Sequence, residues 1–551
     1  MKRERLAGAA IFALALAVRM LHVQQVAAND PFYDHPSVDS LVYVEWAKRI
    51  AGGEWLGTEA FFLSPLYGYA LGALYWLVGP SFLWPLILNA LCGAATCAVV
   101  YALACRLFDF RVGLVAAALA CFHRMEIFYE GAPLVEALQT LLCAAWVWTA
   151  VRALETTSDD ARGSRARVFV LAGAALGLSV LARQNVLLFA PAFALWAWLA
   201  LRGRESLARR ALLPAIYLGA VALCILPATL RNWVVARDFV LVNSTGGIVL
   251  YTGWNPEANG VYVVPSVLPR ALADDPIEQK NAYRALAEQR LGRTNLRASE
   301  VSSYWRGQAS DWVASNPARA LALGLAKARL FWSAFEAWDV RSVTLARPTS
   351  WVLRLPLVGF GALAPLALAG IALSARRWRA LVPLYLALGV HFATAVLFIA
   401  LSRYRVPALP VLAVFAGVTP IALFDAVRGR QARLAAAGAA VLAAAALAVN
   451  LGVPAEDLTM AHFNLGSVYD QRGQWQPAID EYLASLEAAP AYLSTWNNLA
   501  LVYEKSGAER ELQIETWQRV LDLARAQGSA LHVERATRHL ARLNASADPP
   551  R

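Results

Sequence analysis

Residues 81–105 read SFLWPLILNALCGAATCAVVYALAC, which is 25 residues without a charged side chain. As a helix, this run is long enough to cross a bilayer, because about 20 apolar residues span the hydrocarbon core. Ten further apolar runs lie along the chain, at residues 6–26, 112–129, 133–152, 168–182, 186–201, 211–229, 352–374, 381–401, 406–424 and 433–451. The sequence therefore predicts an all-α, polytopic transmembrane helical bundle of about 11 spans.

The composition agrees with a membrane protein and argues against other classes. Hydrophobic residues make up 58% of the chain and charged residues 16%, whereas soluble proteins carry about 45–50% and about 25%. The net charge of +11 comes from arginines between apolar runs, without a basic, aromatic-rich face, so no nucleic-acid partner is expected. The six cysteines fall in or beside apolar runs and no CxxC or HExxH occurs, so neither a disulfide framework nor a zinc site is indicated.

Basic residues predict the orientation in the membrane. With a cytoplasmic amino terminus, the six inner ends and loops contain 19 Lys or Arg. The short outer segments contain only Arg124, Arg183, Arg403 and Arg405. Such an excess on the cytoplasmic side follows the positive-inside rule. For the first run, a signal peptide cleaved near residues 26–28 is the alternative to an uncleaved span.

Three long polar segments are then predicted on the outer face. Two are loops, at 29–80 and 230–350, within a transmembrane domain of residues 1–454. The aromatic-rich stretch 64–79 of the first loop is expected to lie along the membrane surface rather than to span it. The third is the carboxyl-terminal tail, residues 455–551.

The tail repeats with a period of 34 residues, which is typical of tetratricopeptide repeats. Leu465, Tyr469 and Gly473 recur as Leu499, Tyr503 and Gly507. The second unit departs from the pattern in its second helix, at residues 512 and 516, and residues 530–544 are expected to form a capping helix. Two units bury little core alone, so the tail is expected to lean on the outer loops or on a protein partner.

The first outer loop carries a candidate catalytic acid. Asp39 begins a predicted amphipathic helix that presents Tyr43, Trp46 and Ala47 on one face. As an alternative, Asp39 caps this helix and has no other role.

A second acidic cluster precedes the fourth predicted span. Glu136 lies just inside that span and Glu130 shortly before it. An ionisable group at membrane depth costs about 2.5–3.5 kcal/mol and normally faces a cavity or a partner. As an alternative, these acids favour a helix start through the helix dipole.

Arginines in short outer turns indicate an anionic ligand. Arg183 lies between the fifth and sixth spans, and Arg403-Tyr404-Arg405 lies between the ninth and tenth. A guanidinium group matches phosphate because two parallel N–H donors meet two oxygens. An ion pair with a lipid headgroup or a neighbouring acid is the alternative.

Six motifs in this order resemble bacterial C-type (GT-C) glycosyltransferases of the protein O-mannosyltransferase and aminoarabinose transferase kind. The resemblance covers about residues 1–450, and a repeat tail of this type is seen on some bacterial members. The motifs are Asp39-x3-Tyr43-x3-Ala47, Ser64-Pro65-Leu66-Tyr67, Arg183-Gln184-Asn185, Leu226-Pro227-x3-Arg231-Asn232-Trp233, Gly246-Gly247-x3-Tyr251-x-Gly253-x-Asn255-Pro256 and Arg403-Tyr404-Arg405-x-Pro407-x2-Pro410.

The resemblance implies a polyprenyl-phosphate-sugar donor and an active site at the outer face of the bacterial cytoplasmic (inner) membrane. It assigns catalytic roles to Asp39 and Glu136, with Glu130 a rival for the second acid. The substrate-binding residues it implies are Tyr43, Arg183, Arg403, Tyr404 and Arg405, of which Arg403 and Arg405 would hold the lipid phosphate.

The acceptor is left open as a protein, a lipid or a glycan. No metal site is assigned. A divalent metal ion remains a candidate cofactor for which Asp34 and His35 could supply ligands, but Ser40 follows Asp39 where many relatives have a second acid.

The chemistry also fits without the family. No GxGxxG or Walker-type phosphate loop is present, so no nucleotide-donor domain is visible. A lipid-phosphate donor requires only a lateral opening, cations for its phosphate and a base for the acceptor. The alternatives are a transporter or flippase for a lipid-linked saccharide, and an envelope scaffold working through the tail.

Overall fold

The computed structural model describes residues 2–155, 162–268, 276–338 and 341–545, and within these ranges the regular secondary structure is entirely helical. The predicted all-α class is confirmed. The amino-terminal helices are the long apolar α1 (Lys2–Asn29), followed in the first outer loop by α2 (Asp39–Ala51) and α3 (Pro65–Val78). The next part of the bundle consists of α4 (Leu83–Leu107), α5 (Phe110–Cys121), α6 (Arg124–Glu130), α7 (Glu136–Glu155), α8 (Arg162–Ala182), α9 (Phe189–Ala200) and α10 (Leu207–Ala236).

The second outer loop is also helical. It contains α11 (Gly246–Gly253), α12 (Pro276–Leu291), α13 (Ala298–Ser315), α14 (Pro317–Trp332), α15 (Val343–Ala346) and α16 (Trp351–Arg354). Its own core surrounds the fully buried Trp305, whose ring lies 4.6 Å from that of Tyr251 and 4.9 Å from that of Tyr283. The bundle then resumes with α17 (Phe360–Leu373), α18 (Trp378–Leu397), α19 (Ser402–Arg405), α20 (Leu409–Arg428) and α21 (Ala432–Asn450).

Among the described residues, eight helices are long and apolar enough to cross a bilayer, namely α1, α4, α7, α8, α10, α18, α20 and α21. Three shorter apolar helices, α5, α9 and α17, coincide with the remaining predicted runs. At 1.5 Å per residue, a helix of 12 residues such as α5 extends about 18 Å, less than the core thickness of about 30 Å. A polytopic helical bundle is therefore confirmed, while the count of eleven spans stays a prediction.

One predicted span, residues 112–129, is divided in the structure. Helix α5 ends at Cys121, and a short bridge follows in which Val358 N donates to Phe122 O and Arg124 N donates to Val358 O, both at 2.9 Å. Pairing with residue 358 takes backbone groups that a continuous helix would need, so the chain turns and restarts as α6.

Small residues allow the central helices to pack closely. A Cβ atom on Gly370 of α17 would lie 1.9 Å from Phe415 O of α20. Contacts this close are typical of membrane helices, which associate through small side chains. Most of α20 is buried, so it forms the centre of the bundle.

The tail forms five helices, α22 (Thr459–Gln471), α23 (Trp475–Ala488), α24 (Leu493–Ser506), α25 (Arg510–Ala526) and α26 (Ala530–Ala545). Tyr482 is fully buried and packs against Gly466. In the second unit the repeat pattern expects an aromatic residue at position 516, which is Thr516, and the neighbouring Trp517 is fully buried. The last predicted tail residues, 546–551, lie outside the described residues. The tetratricopeptide assignment and the domain boundary at 454/455 stay predictions.

The tail rests on the outer loops. Ser342 Oγ and Thr344 Oγ1 donate to the carboxylate of Glu456 at 2.6 and 2.7 Å. Arg472 of α22 forms an ion pair with Asp34, and its Nε lies 3.4 Å from His35 Nδ1. These contacts hold α22 against the loop that leads into α2.

Candidate active site

A cavity of about 760 Å³ lies where the first outer loop, the second outer loop and the ends of several bundle helices meet. Six of the eight predicted site residues line it: Asp39, Tyr43, Glu136, Arg183, Arg403 and Tyr404. They come from α2, α7, the turn after α8, and α19. The cavity is mostly apolar and has a few charged groups, among them Asp39, Glu136, Arg183 and Arg403, which is typical of small-molecule sites.

Asp39 and Arg403 form an ion pair inside the cavity. Arg403 Nη1 donates to Asp39 Oδ2 at 2.7 Å, and the side chains are 9% and 19% exposed for Arg403 and Asp39. Asp39 is the first residue of α2, yet its side chain does not cap that helix. Among the described residues, Asp39 Oδ1 accepts no hydrogen bond, so one oxygen of the carboxylate is available to a ligand.

Glu136 and Arg183 form a second pair in the same cavity. Glu136 is fully buried and its Oε1 accepts a short hydrogen bond from Arg183 Nη2. Within the described part of the chain, Glu136 Oε2 has no hydrogen-bond partner. Leaving a buried acceptor without a hydrogen-bond donor costs about 1–3 kcal/mol, and more for a charged group. A ligand hydroxyl that donates to Glu136 Oε2 would remove this cost.

Tyr404 connects the two ion pairs. Its ring centroid lies 4.7 Å from Arg183 Cζ and 5.1 Å from Arg403 Cζ, and its hydroxyl accepts from Arg403 Nη2 at 3.4 Å. An aromatic face attracts guanidinium groups. Tyr404 thereby lies beside two guanidinium groups within one small region, each of which is paired with a carboxylate.

Tyr43 supplies the cavity with a phenol from the second turn of α2. Its ring packs edge-on against Tyr67 at 5.1 Å, and the residue is buried. Burial, together with the negative charge of Asp39, raises the pKa of Tyr43. The hydroxyl therefore stays protonated at neutral pH and can donate a hydrogen bond to an anionic ligand.

Arg405 lies outside the cavity, in contrast to the expected phosphate contact. Its Nη1 donates to the carbonyl oxygens of Phe331 at 3.1 Å and Ser333 at 2.7 Å. Its Nη2 donates to Phe335 O and to Glu336 Oε2, both at 2.8 Å. With its donors committed to the end of α14 and the following loop, Arg405 joins that loop to α19.

Glu130 also lies outside the cavity. It is buried in the bundle, where its Oε2 lies 2.8 Å from Arg19 Nε of α1. Glu126 is 3.8 Å from the same guanidinium group. One buried arginine thus lies beside two buried acids and can balance the charge of one of them. The sequence of the first helix alone does not reveal this contact.

The candidate metal ligands do not form a ligand set. Asp34 Oδ1 lies 2.9 Å from His35 Nδ1 and pairs with Arg472, a cation that would oppose a metal ion at the same oxygen. Among the described residues, no group of three or more His, Cys, Asp or Glu side chains is placed to hold a metal ion.

Sequence reasoning missed Lys280 and Met460, which line the cavity. Lys280 lies on the polar helix α12 and its Nζ donates to Glu59 Oε2 at 2.6 Å. Met460 belongs to the tail. Neither had a local signal, because a lysine in a polar segment and a methionine near a repeat are ordinary features of a sequence.

The motifs that contain Asn232 and Gly247 have structural roles. Asn232 Oδ1 accepts from Phe61 N at 3.0 Å and its Nδ2 donates to Val240 O and Val242 O, so it joins three segments of the outer loops. At Gly247 a Cβ atom would lie 1.7 Å from Ser302 O. Glycine there lets α11 approach α13.

Comparison with known families gives a match over part of the chain. Residues 63–231 match the family described as dolichyl-phosphate-mannose-protein mannosyltransferase. The predicted resemblance is confirmed over this segment. The segment includes Glu136 and Arg183, whereas Asp39 and Arg403 lie on either side of it. A comparison with curated protein sequences gives no match.

Two solved membrane enzymes are among the similar structures. The Archaeoglobus fulgidus oligosaccharyltransferase, in complex with zinc and sulfate, is 15% identical with a TM-score of 0.45, covering 84% of this chain and 56% of that chain. ArnT from Cupriavidus metallidurans, bound to undecaprenyl phosphate, is 16% identical with a TM-score of 0.38, covering 76% and 79%. The chain spans less than two thirds of the length of the archaeal enzyme.

Proposed function

We propose that this chain is a membrane glycosyltransferase that transfers a sugar from a polyprenyl-phosphate-linked donor to an acceptor at the outer face of the bacterial cytoplasmic membrane. One observation carries the proposal: the Asp39–Arg403 pair, with 2.7 Å between the two groups, brings a base and a cation together in one cavity of about 760 Å³. The family match over residues 63–231, whose description names a polyprenyl-type phosphate donor, supports it.

The reaction requires a nucleophile, a base and a stabilised leaving group. The acceptor oxygen would attack the anomeric carbon of the sugar while the bond from that carbon to the phosphate oxygen breaks. Asp39 would take the acceptor proton through Oδ1, a contribution typically worth about 10²–10⁴-fold in rate. Attack from the face opposite the phosphate would invert the anomeric configuration.

Positive charge would stabilise the departing polyprenyl phosphate. Arg403 and Arg183 face the same cavity on either side of Tyr404, and Lys280 adds a third cation. Preorganised donors in a site that excludes water are worth far more than in bulk water, often a few kcal/mol. Glu136 would hold Arg183 in place and accept a hydroxyl of the sugar through Oε2.

The topology predicted from basic residues supports an outer-face site. With an inner amino terminus, the loops that contribute Asp39 and Arg403 would both face the periplasm. A flippase would share the cavity and its arginines, but it would have no use for a base beside them.

Reconstituted liposomes test the proposal. The full-length protein would be supplied with a panel of undecaprenyl-phosphate-linked hexoses, mannose among them, and with protein and glycan acceptors. We expect consumption of a donor and labelling of an acceptor, and Asp39→Asn should abolish both while Asp311→Asn, at an exposed outer position, changes neither. Donor movement across the bilayer without consumption would instead establish a flippase, and full activity in Asp39→Asn would remove its catalytic role.

A further inference from the structure

A second, smaller cavity lies between the first outer loop and the tail. Its volume is about 290 Å³. One wall is formed by residues 34–38 and the exposed side of α2, and the other by Asn464, Ser467, Val468 and Gln471 of α22. We call this cavity the α2–α22 groove. It lies outside the cluster of charged residues described above.

Among the described residues, Val38 lines both the groove and the large cavity. Its backbone has a φ of 52°, a left-handed value that is strained for a β-branched residue. Val38 directly precedes Asp39. A ligand in the groove can therefore contact the residue next to the candidate base.

Asn464 gives the groove an unpartnered amide. The residue is only 5% exposed and its side chain lines the groove. Within the described residues, its amide makes no hydrogen bond. By contrast Asn498, one repeat of 34 residues further on, donates to the Tyr482 hydroxyl at 3.4 Å. The donor and the acceptor of this amide are therefore available to a ligand in the groove.

The opposite wall presents a similar group. Ser37 Oγ is buried and, among the described residues, has no hydrogen-bond partner. An amide such as Asn464 carries both a donor and an acceptor, and a hydroxyl can act as either. Paired N–H and C=O groups of an extended polypeptide backbone match this lining.

The lining suits a polypeptide better than a sugar chain or a lipid. Sugar rings are held by open aromatic faces. Among the described residues that line the groove, Phe82 and His35 carry aromatic rings; the ammonium group of Lys48 lies 5.5 Å from the Phe82 centroid, and Asp34 Oδ1 lies 2.9 Å from His35 Nδ1. A lipid acceptor would need an apolar lining, whereas Asp34, Glu45 and Gln471 are polar. Pro36, Val38, Leu41 and Val468 add an apolar part to the lining, which the side chains of a peptide can contact.

We propose that the α2–α22 groove is the acceptor site and takes an extended polypeptide segment whose hydroxyl side chain passes Val38 to reach Asp39. This proposal rests on the proposed transferase function. It assigns the tail a direct part in acceptor recognition, through Asn464 and Ser467. The hydroxyl would arrive from the aqueous side, opposite the lipid-borne donor.

The test uses the full chain in liposomes, with undecaprenyl-phosphate-linked mannose as donor and biotinylated peptides of about ten residues that contain one serine or threonine. Asn464→Leu keeps the side-chain volume and removes the amide, so the KM for peptide should rise about tenfold while kcat and the KM for donor stay near wild type. Asn498→Leu is the matched control. A photo-crosslinking residue at position 467 should capture peptide, and one at the exposed position 480 should not.

The outcomes separate the two proposals. Transfer to peptide with no crosslink at 467 and no change of KM in Asn464→Leu would overturn the groove and leave the transferase function standing. Transfer to polysaccharide alone would overturn the polypeptide class. Capture of peptide at 467 without transfer from any undecaprenyl-phosphate sugar would overturn the transferase function, and the acceptor role with it.

Discussion

Asp39 and Arg403 are separated by 364 positions in the chain, yet their side chains form an ion pair of 2.7 Å in the wall of the cavity of about 760 Å³. Asp39 begins a helix of the first outer loop, and Arg403 is the second residue of the short helix α19, which follows α18. A carboxylate and a guanidinium group held together in this way can serve proton transfer and phosphate binding in one reaction.

Arg403→Gln should lower the rate of sugar transfer by about 10²–10³-fold, because it removes a preorganised donor aimed at the developing charge. The substitution leaves Asp39 without its ion-pair partner, but Asp39 is partly exposed to solvent. The unfolding temperature of Arg403→Gln should therefore change little. Initial rates and thermal unfolding in detergent would measure both effects. Arg293→Gln, at an exposed pair with Glu300, is the control, and activity above half of wild type in Arg403→Gln would refute the assignment.

Arg405→Ala should behave differently from Arg403→Gln. It leaves the carbonyl groups of residues 331–335 and the Glu336 carboxylate without their donor. Removing one member of a buried pair costs about 3–5 kcal/mol. We expect a clear fall in the unfolding temperature and in the yield of folded protein. An Arg405→Ala protein that unfolds like wild type but transfers no sugar would restore the phosphate-binding role.

Glu136→Gln and Glu130→Gln should separate catalysis from stability. Glu136 lines the cavity, so its amide variant should lose about 10²-fold in transfer while the fold is retained. Glu130 pairs with Arg19 inside the bundle, so its amide variant should unfold at a lower temperature with near-normal activity per folded molecule. Measuring rate and unfolding for both variants is sufficient, and the reverse pattern would make Glu130 the second catalytic acid.

Docking of the tail should weaken in acid. Partial burial of Asp34 opposes its ionisation, but the hydrogen bonds from His35 and Arg472 outweigh this, and the pKa of Asp34 is lowered. Because the pKa is lowered in the docked state, the contact stabilises the docked tail at pH values above the ordinary Asp pKa of about 3.9. This stabilisation is lost as the pH falls through the lower pKa of the docked state.

Spin labels at the exposed positions 54 and 480 would report this docking. We expect a narrow distance distribution at neutral pH that broadens below about pH 4. Arg472→Ala should already be broad at neutral pH, whereas Lys505→Ala, which removes a contact within the tail, should not. A narrow distribution in Arg472→Ala would show that other contacts dock the tail.

Much of the architecture could be predicted from the sequence, because the bilayer imposes a local rule. Each apolar run of sufficient length must satisfy its own backbone hydrogen bonds as a helix. Each predicted run therefore contains an apolar helix, although the runs 112–129 and 352–374 are each divided between two helices. The 34-residue period likewise predicted tail helices, and the terminal one was expected at 530–544 and is observed at Ala530–Ala545. Both are properties of continuous segments.

The sequence by itself determined the helical class, the apolar runs and a short set of acids and arginines in outer segments. Only the tertiary structure decided which of them meet. Arg403 and Arg405 are two residues apart, but successive residues of a helical turn point in different directions, so one enters the cavity and the other bonds to the loop after α14. Glu130 pairs with Arg19 inside the bundle and does not reach the large cavity. Docking of the tail places Met460 at the large cavity and Asn464 at the groove. Such contacts between distant segments are set by packing and not by local sequence.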